Sequence, residues 1–565
     1  MNFSKKSVIA SLLIAAMLAT QTLVAFADPP KTAKKGRLSD EQRIIHVLNR
    51  LGFGARPGDV ERVKSIGLEN YINQQLNPEK ITDTVAENKI KDLVVLELTT
   101  AQLYEKYPQP GQLLRRLQAQ GMLEGDLKNP PNPQDEKSRK VLQDYYLQNG
   151  LQRPQRIMAE LQASRILRAV YSERQLQEVM VDFWTNHFNV FAGKGADRWL
   201  LPAYDRDTIR PNAMGKFSEL LLATAQSPAM LFYLDNFQSV SPDANRGRAM
   251  RRQNLQAQRP RRGINENYAR ELMELHTLGV DGGYTQKDVQ EIARCFTGWT
   301  IFQPRGGGVA ANAMAGEYAR RTAGTFFFNA RVHDDGEKIV LGHKISAGGG
   351  FKDGLTVLDI LAHHPSTAKF IATKLVSHFV ADTPPPALID RTAAAFTKSD
   401  GDIRETLKAI FFANEFNSPE AYRAKIKRPF ELVVSAIRTL GADTNGGPGT
   451  HQWIARMGEP LYGFQTPNGY SDAAESWVNT GGLLERMNFG LALAGNRVQG
   501  TRVDLAKLNR EEKSKLIDDS LKLIVAGDIS AATRETLMKQ IDETNADTAP
   551  KVVGLILGTP EFQRQ

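Results

Sequence analysis

Cysteine is almost absent from this chain. Cys295 is the only one in 565 residues, which excludes an intrachain disulfide and any clustered-cysteine metal site. With no local His partner, it reads as a buried, inert thiol. Long apolar runs are equally scarce. The one near the N-terminus, Val8 to about Ala19, follows Lys5 and Lys6 and precedes Ala25-Phe-Ala27, a small-residue cleavage pattern before Asp28. These three parts compose a secretory signal over residues 1–27, and the run is too short for a membrane span. No later run is long enough to cross a bilayer. The mature chain is therefore expected to be exported, periplasmic or extracellular, with no transmembrane span. The sequence also lacks a Gly-x-Ser-x-Gly elbow and a Walker loop, and Gly306-Gly-Gly308 lacks the strand and helix context of a phosphate cradle. Alternating strand patterns are few, and no internal repeat supports a solenoid.

What is present is helical periodicity. Apolar residues recur at three and four spacing over 40–77, 154–191, 213–236, 264–300, 355–381, 402–416, 427–441, 481–496 and 503–544. The expected fold class is mainly α, a large multi-helix globular domain. Short strands are expected only near 324–329 and 338–345, beside the His333 loop. After a flexible segment at 28–39, residues 40–565 are expected to form one large domain, whose core supplies the stability that no disulfide can. Mobile insertions are expected near 108–137, 241–263 and 303–324, where Pro, Gly and polar residues concentrate. The net charge of +9 is modest for this length, and part of it lies in Arg246 to Arg262, which holds seven Arg and no acidic residue. That stretch reads as a solvated loop or as a contact for an acidic polymer or an anionic envelope surface. Export argues against nucleic acid.

Three polar segments carry the candidate chemistry. The first, Asp182-Phe-Trp-Thr-Asn-His-Phe-Asn189, places His187 on the apolar face with Leu176, Val179, Met180 and Phe183, while Asp182, Asn186 and Asn189 share the other. His187 is then either a satisfied core histidine or a ligand. The second runs from Asn265 to His276 and clusters Glu266, Asn267, Arg270, Glu271 and Glu274 on one side. In a regular helix His276 lies about 140° from Glu271, so the two cannot chelate one ion. Glu271 can converge with Asn267 or Glu274 on a shared partner, or the face is simply a salt-bridged polar surface. In the third, His333-Asp334-Asp335-Gly336 has turn composition, and a His-Asp pair there can supply metal ligands or an oriented base. His363-His364-Pro365-Ser366 reads as a helix end and a new start, capped near Ser366 or Thr367. His46 and His378 read as core or surface residues.

These segments resemble, in order, the signature of the bacterial family called domain of unknown function 1800. The matching elements are His46 to Ala55, Asp182 to Asn189, Pro228 to Asp235, Asn265 to Gly279 and Phe296-Thr-Gly-Trp299. They continue through His333-Asp334 with Lys338, Pro467-Asn-Gly-Tyr470 before Trp477, and a Thr559-Pro-Glu-Phe-Gln563 ending. The chain departs in its Arg-rich and Gly/Ala-rich insertions and in having Asn468 where Asp is common. The resemblance implies an exported protein and suggests a partner from the sulfatase-like family called domain of unknown function 1501. The expected function is a metal-dependent hydrolase acting on an envelope or extracellular polymer. His187, Glu271 and His333 would bind a divalent ion, with His276 in reserve; Asp334 would orient a ligand, and Glu274 would activate water. Asn267 and Arg270 would complete the site. A metal-free variant would pair Glu271 with Glu274, although their spacing on one helix is close for opposed carboxylates. The alternative is a non-catalytic accessory protein in which the same groups form a sealed network.

Overall fold

The computed structural model describes residues 37–123, 132–243, 263–302, 322–508, 512–541 and 548–565. The signal segment, the Arg246 to Arg262 stretch and most of the Gly/Ala-rich insertion lie outside the described residues. The rest is mainly helical, and the strands among the described residues form three small antiparallel sheets of two strands each.

The helices follow the expected periodicity, but Gly, Pro and polar caps divide the long runs. Helix α1 (Asp40–Arg50) starts from a capping box in which Ser39 accepts from the Gln42 N–H and Gln42 returns the bond. Helices α2 (Gln155–Tyr171) and α3 (Gln175–His187) share one expected run, broken at Ser172. Helix α4 (Glu266–Glu271) passes into a π-helical turn at Leu272–Thr277. There Thr277 Oγ1 donates to the Leu272 carbonyl at 2.8 Å, and the Leu278 N–H reaches the Met273 carbonyl at 2.7 Å. The regular 100° advance assumed for His276 therefore does not hold at that residue.

Helix α5 (Gln286–Cys295) ends before Gly298, and the chain enters β1 (Trp299–Phe302) rather than continuing as helix. Gly298 has φ +79°, and a Cβ there would lie 2.7 Å from the Asn329 carbonyl oxygen, so only glycine lets β1 pair with β2 (Thr325–Phe328) in this register. Strands β3 (Lys338–Val340) and β4 (His343–Ile345) form the second expected pair. Helix α6 (Phe351–Ala362) precedes α7 (Pro365–Phe379). The cap of α7 is His364 itself, whose side chain accepts from the Ser366 N–H, with Pro365 at the first helical position. Helix α8 (Pro429–Thr439) is buried along its whole length.

The third sheet, β5 (Asp443–Thr444) with β6 (Thr501–Arg502), was not expected. Part of the anticipated 108–137 excursion is helical. Pro110–Ala119 is a helix that packs Leu113, Leu114 and Leu117 on Leu142 and Tyr146 of the Glu136–Gln148 helix. One contiguous apolar core draws residues from Ile44 in α1 through to Phe562 near the C-terminus. Among the described residues no helix is long and apolar enough to cross a membrane.

Candidate active site

The three sequence segments do not all meet in one site: the first two touch where His187 Nε2 approaches the His276 carbonyl oxygen, and the third stands in a network of its own. His333 is sealed within it, its side chain 0% exposed. Its Nδ1 lies 2.8 Å from the Thr297 carbonyl oxygen and its Nε2 3.2 Å from Asp353 Oδ2, which also receives Lys338 Nζ at 2.6 Å. Asp334 is gripped by Arg294 at 3.0 and 3.1 Å, and its N–H donates to Thr297 Oγ1. Two signature segments, Phe296 to Trp299 and His333 to Lys338, are thus one structural knot. Both ring nitrogens of His333 are engaged, and the Asp334 carboxylate is taken up by Arg294.

The polar side of α4 is a partly solvated surface. Arg270 donates to Gln286 at 2.7 Å, Gln286 donates to Glu266 at 2.7 Å, and Tyr284 donates to Glu274 at 3.1 Å. Asn267 is exposed, whereas Glu271 is half-buried. Burial and then Glu274 push the Glu271 carboxyl up, with Arg270 opposing. His276 is buried, its Nε2 has no partner, and burial holds its pKa at about 3. Among the described residues no group of three or more His, Cys, Asp and Glu side chains is arranged to hold a metal ion. The proposed ligand set of His187, Glu271 and His333, with His276 in reserve, is therefore not assembled.

His187 does belong to a site, with different neighbours. Its Nε2 lies 3.1 Å from the His276 carbonyl oxygen and its Nδ1 3.0 Å from Lys374 Nζ. A carbonyl can only accept, so Nε2 carries the proton and Nδ1 accepts from the lysine. Burial, then Lys374, keeps the ring neutral, its pKa well below the ordinary value. Lys374 lies on α7, where burial lowers its pKa to about 8, opposed by Asp472. One turn on, His378 Nδ1 meets Asp472 Oδ1 at 3.1 Å. A carboxylate oxygen accepts, so Nδ1 is the protonated nitrogen, and Nε2 has no hydrogen bond to the protein among the described residues.

These groups line a cavity of about 670 Å³, together with Phe183 and Asn186 of α3, Arg428, and the loop from Phe464 to Trp477. Asn186 pins that loop from both sides, accepting from the Tyr470 N–H at 2.7 Å and donating to the Tyr470 carbonyl at 2.9 Å. Asn189 holds the Phe464 and Thr466 carbonyls at 3.1 and 2.8 Å, and Tyr233 OH holds that of Gln465. Gly469 is required at the closest approach: its φ is +70°, and a Cβ would sit 2.3 Å from the Asn186 carbonyl oxygen. The Asn186-His187 and Pro467 to Tyr470 segments, 280 residues apart, are therefore interlocking walls of one cavity.

Beneath it lies an ionic floor. Asp182 bridges Arg165 and Arg428, and Arg428 reaches Glu459 at 2.6 Å. Lys425 bridges Asp382 and Asp472, the latter at 2.9 Å. Burial would raise the Asp472 carboxyl, but His378, Lys425 and Arg428 together hold it well below the carboxylate range. Asp472 therefore remains an anion beside His378.

His378, Lys374 and Asp472 were missed because each is unremarkable alone. The available signal was Lys374 and His378 at i and i+4, which puts two titratable side chains on one face of a helix. The polar residues following Tyr470 were a second signal.

The family model described as protein of unknown function (DUF1800) matches residues 46–564. No curated protein matches the chain, and no solved structure does.

Proposed function

The chain belongs to the DUF1800 family, and from the geometry of its cavity we propose that it is an exported hydrolase working by acid–base catalysis on an envelope or extracellular polymer. The observation that carries this reading is the His378–Asp472 pair on the wall of a cavity of about 670 Å³, within the usual range for small-molecule sites. Asp472 fixes the tautomer, leaving the Nε2 lone pair of His378 to take a proton from an attacking water. The protonated His378 can then return that proton to the leaving group, and Lys374, one helical turn away, faces the same cavity. Cβ atoms at this spacing lie roughly 5–6 Å apart, which leaves room for a water and the bond it attacks. Export is supported by the pattern of residues 1–27.

The divalent-metal version, with His187, Glu271 and His333 as ligands, has less support because the ring nitrogens of His333 are taken and His187 accepts from Lys374. An accessory role beside a sulfatase-like partner draws support from the mutually satisfied His333–Asp353–Lys338 knot. The test is turnover of peptidoglycan and of acidic and neutral polysaccharides by the mature protein, read as release of soluble fragments. Folded His378→Ala and Asp472→Asn variants should lose at least about 100-fold in rate, while Glu271→Gln retains it. Unchanged turnover in folded His378→Ala overturns the proposal; loss confined to Glu271→Gln returns the weight to the α4 face.

A further inference from the structure

We propose that Lys374 is the anion-recognition group of this cavity and that the substrate unit bound there is an acidic sugar bearing a carboxylate or a sulfate. The inference rests on the cavity being the reactive site. Lys374 reaches it with one protein hydrogen bond, to the neutral His187 ring at 3.0 Å, and has no carboxylate partner among the described residues. An ammonium carries three donors, so two of its N–H groups are left for something from outside.

The other cations at the cavity are not in this state. Arg428 is committed to Asp182 and Glu459, and Lys425 to Asp382 and Asp472. His187 cannot compensate the charge, because its Nε2–H already points to the His276 carbonyl. Asp472 acts on Lys374 only at a distance and forms no ion pair with it among the described residues, so a partly desolvated ammonium remains without a contacting anion, and an anionic ligand would reduce that cost. Arginine would bind an anion through a rigid fork, whereas a lysine tip suits a single oxygen of a carboxylate or sulfate approaching from varied directions.

The loop wall selects a sugar rather than a bare anion. Tyr470 packs between Phe464 and Trp477 in tilted contacts, with ring centroids 4.5 and 5.9 Å away. Two of these rings are held by their polar ends: Tyr470 OH donates to the Pro460 carbonyl at 2.8 Å and Trp477 Nε1 to the Ser471 carbonyl at 2.9 Å. With Trp477 buried behind them, the partly exposed Phe464 and Tyr470 rings offer apolar surface to the C–H side of a pyranose, and Asn468 and Ser471 stand nearby for its hydroxyls.

Around Lys374 the titratable or charged groups are His187 from α3, His276 from the π turn, His378 on α7 itself, and Asp472 and Arg428 from the loops before Trp477 and α8. Acidic-sugar binding should weaken as pH rises through about 8, where Lys374 loses its proton. Lys374→Arg, which stays charged throughout this range, separates the titration of Lys374 from that of its neighbours.

The test is calorimetry on the full mature protein with an oligoglucuronate, a sulfated oligosaccharide and a neutral oligosaccharide of equal length, with inorganic sulfate as the bare-anion control. At pH 7 at least one acidic ligand should bind tenfold or more tighter than the neutral one. Which of the two binds identifies the substituent. The preference should fall about tenfold by pH 9.5, disappear in Lys374→Met and persist at both pH values in Lys374→Arg, which stays charged. His378→Ala should bind as the wild type does. If it binds so but its turnover is also unchanged, the catalytic reading fails while this one stands. Equal binding of neutral and acidic ligands, binding of sulfate alone as tight as of the sulfated sugar, no binding of either acidic ligand, or an undiminished preference in Lys374→Met overturns the proposal.

Discussion

Replacing Lys374 by Met should stabilise the protein while abolishing its anion preference. Burial lowers the lysine pKa to about 8 from the unfolded value of about 10.4. The folded state therefore binds this proton less tightly than the unfolded chain. The wild-type penalty is full below pH 8, shrinks as pH rises towards about 10.4, and is gone above it. At about 1.4 kcal/mol per unit, the ceiling is roughly 3 kcal/mol. Lys374 lies at the cavity wall with part of its surface open, and water screening there reduces the expected gain to about 1–2 kcal/mol. Methionine keeps most of the apolar stem against Phe370, whose ring centre lies 5.3 Å from Nζ. With an unfolding entropy of about 2.1 cal/mol/K per residue, a chain of this size should melt about 1–2 °C higher at pH 7. Scanning calorimetry of both proteins at pH 7 and pH 10.5 measures the difference. A variant less stable than the wild type at pH 7, or a gain of the same size at both pH values, refutes the reasoning.

Acid should destabilise the fold through His46 and His276, both buried and both held near pKa 3, chiefly by desolvation. The unfolded histidines bind protons near pH 6.5, so their contribution is complete above that and falls by about 1.4 kcal/mol per pH unit for each histidine as pH drops towards 3. His46→Leu should remove one such increment from the slope between pH 6 and pH 5, measured by urea unfolding; an unchanged slope contradicts the assignment. Asp182→Asn removes the carboxylate between two buried guanidinium groups and should cost about 3–5 kcal/mol, seen as lost folded yield or a sharply lower melting point, with His378→Ala as a mild comparison. Gly469→Ala drives a Cβ into the Asn186 backbone and should displace the loop, losing oligosaccharide binding with only a small fall in melting temperature. Retained binding would show that the loop wall is dispensable.

Much of the fold was legible because helical periodicity is local. The runs over 154–191 and 264–300 yielded α2 with α3, and α4 with α5, and the Gly-flanked segments beside His333 yielded β2, β3 and β4. Where the reading slipped, a local deviation was set by distant contacts: the π turn after Glu271 alters the face of His276, and Gly298 sends Trp299 into a strand paired with Phe328. The helix at Pro110–Ala119 was hidden under Pro, Gly and Gln that read as loop composition.

The sequence by itself determined the family, the mainly helical class and which segments are special, because composition, periodicity and motif order are written along the chain. Which special residues face one another was decided only by tertiary structure. His187 and His333 looked like partners by residue type, yet one leans on Lys374 and the other is locked to Thr297 and Asp353. His378 looked inert until the loop after Tyr470 brought Asp472 to its Nδ1. A ligand or a catalytic dyad is defined by distances of about 3 Å, and contacts between residues far apart in the chain exist only once the helices have packed.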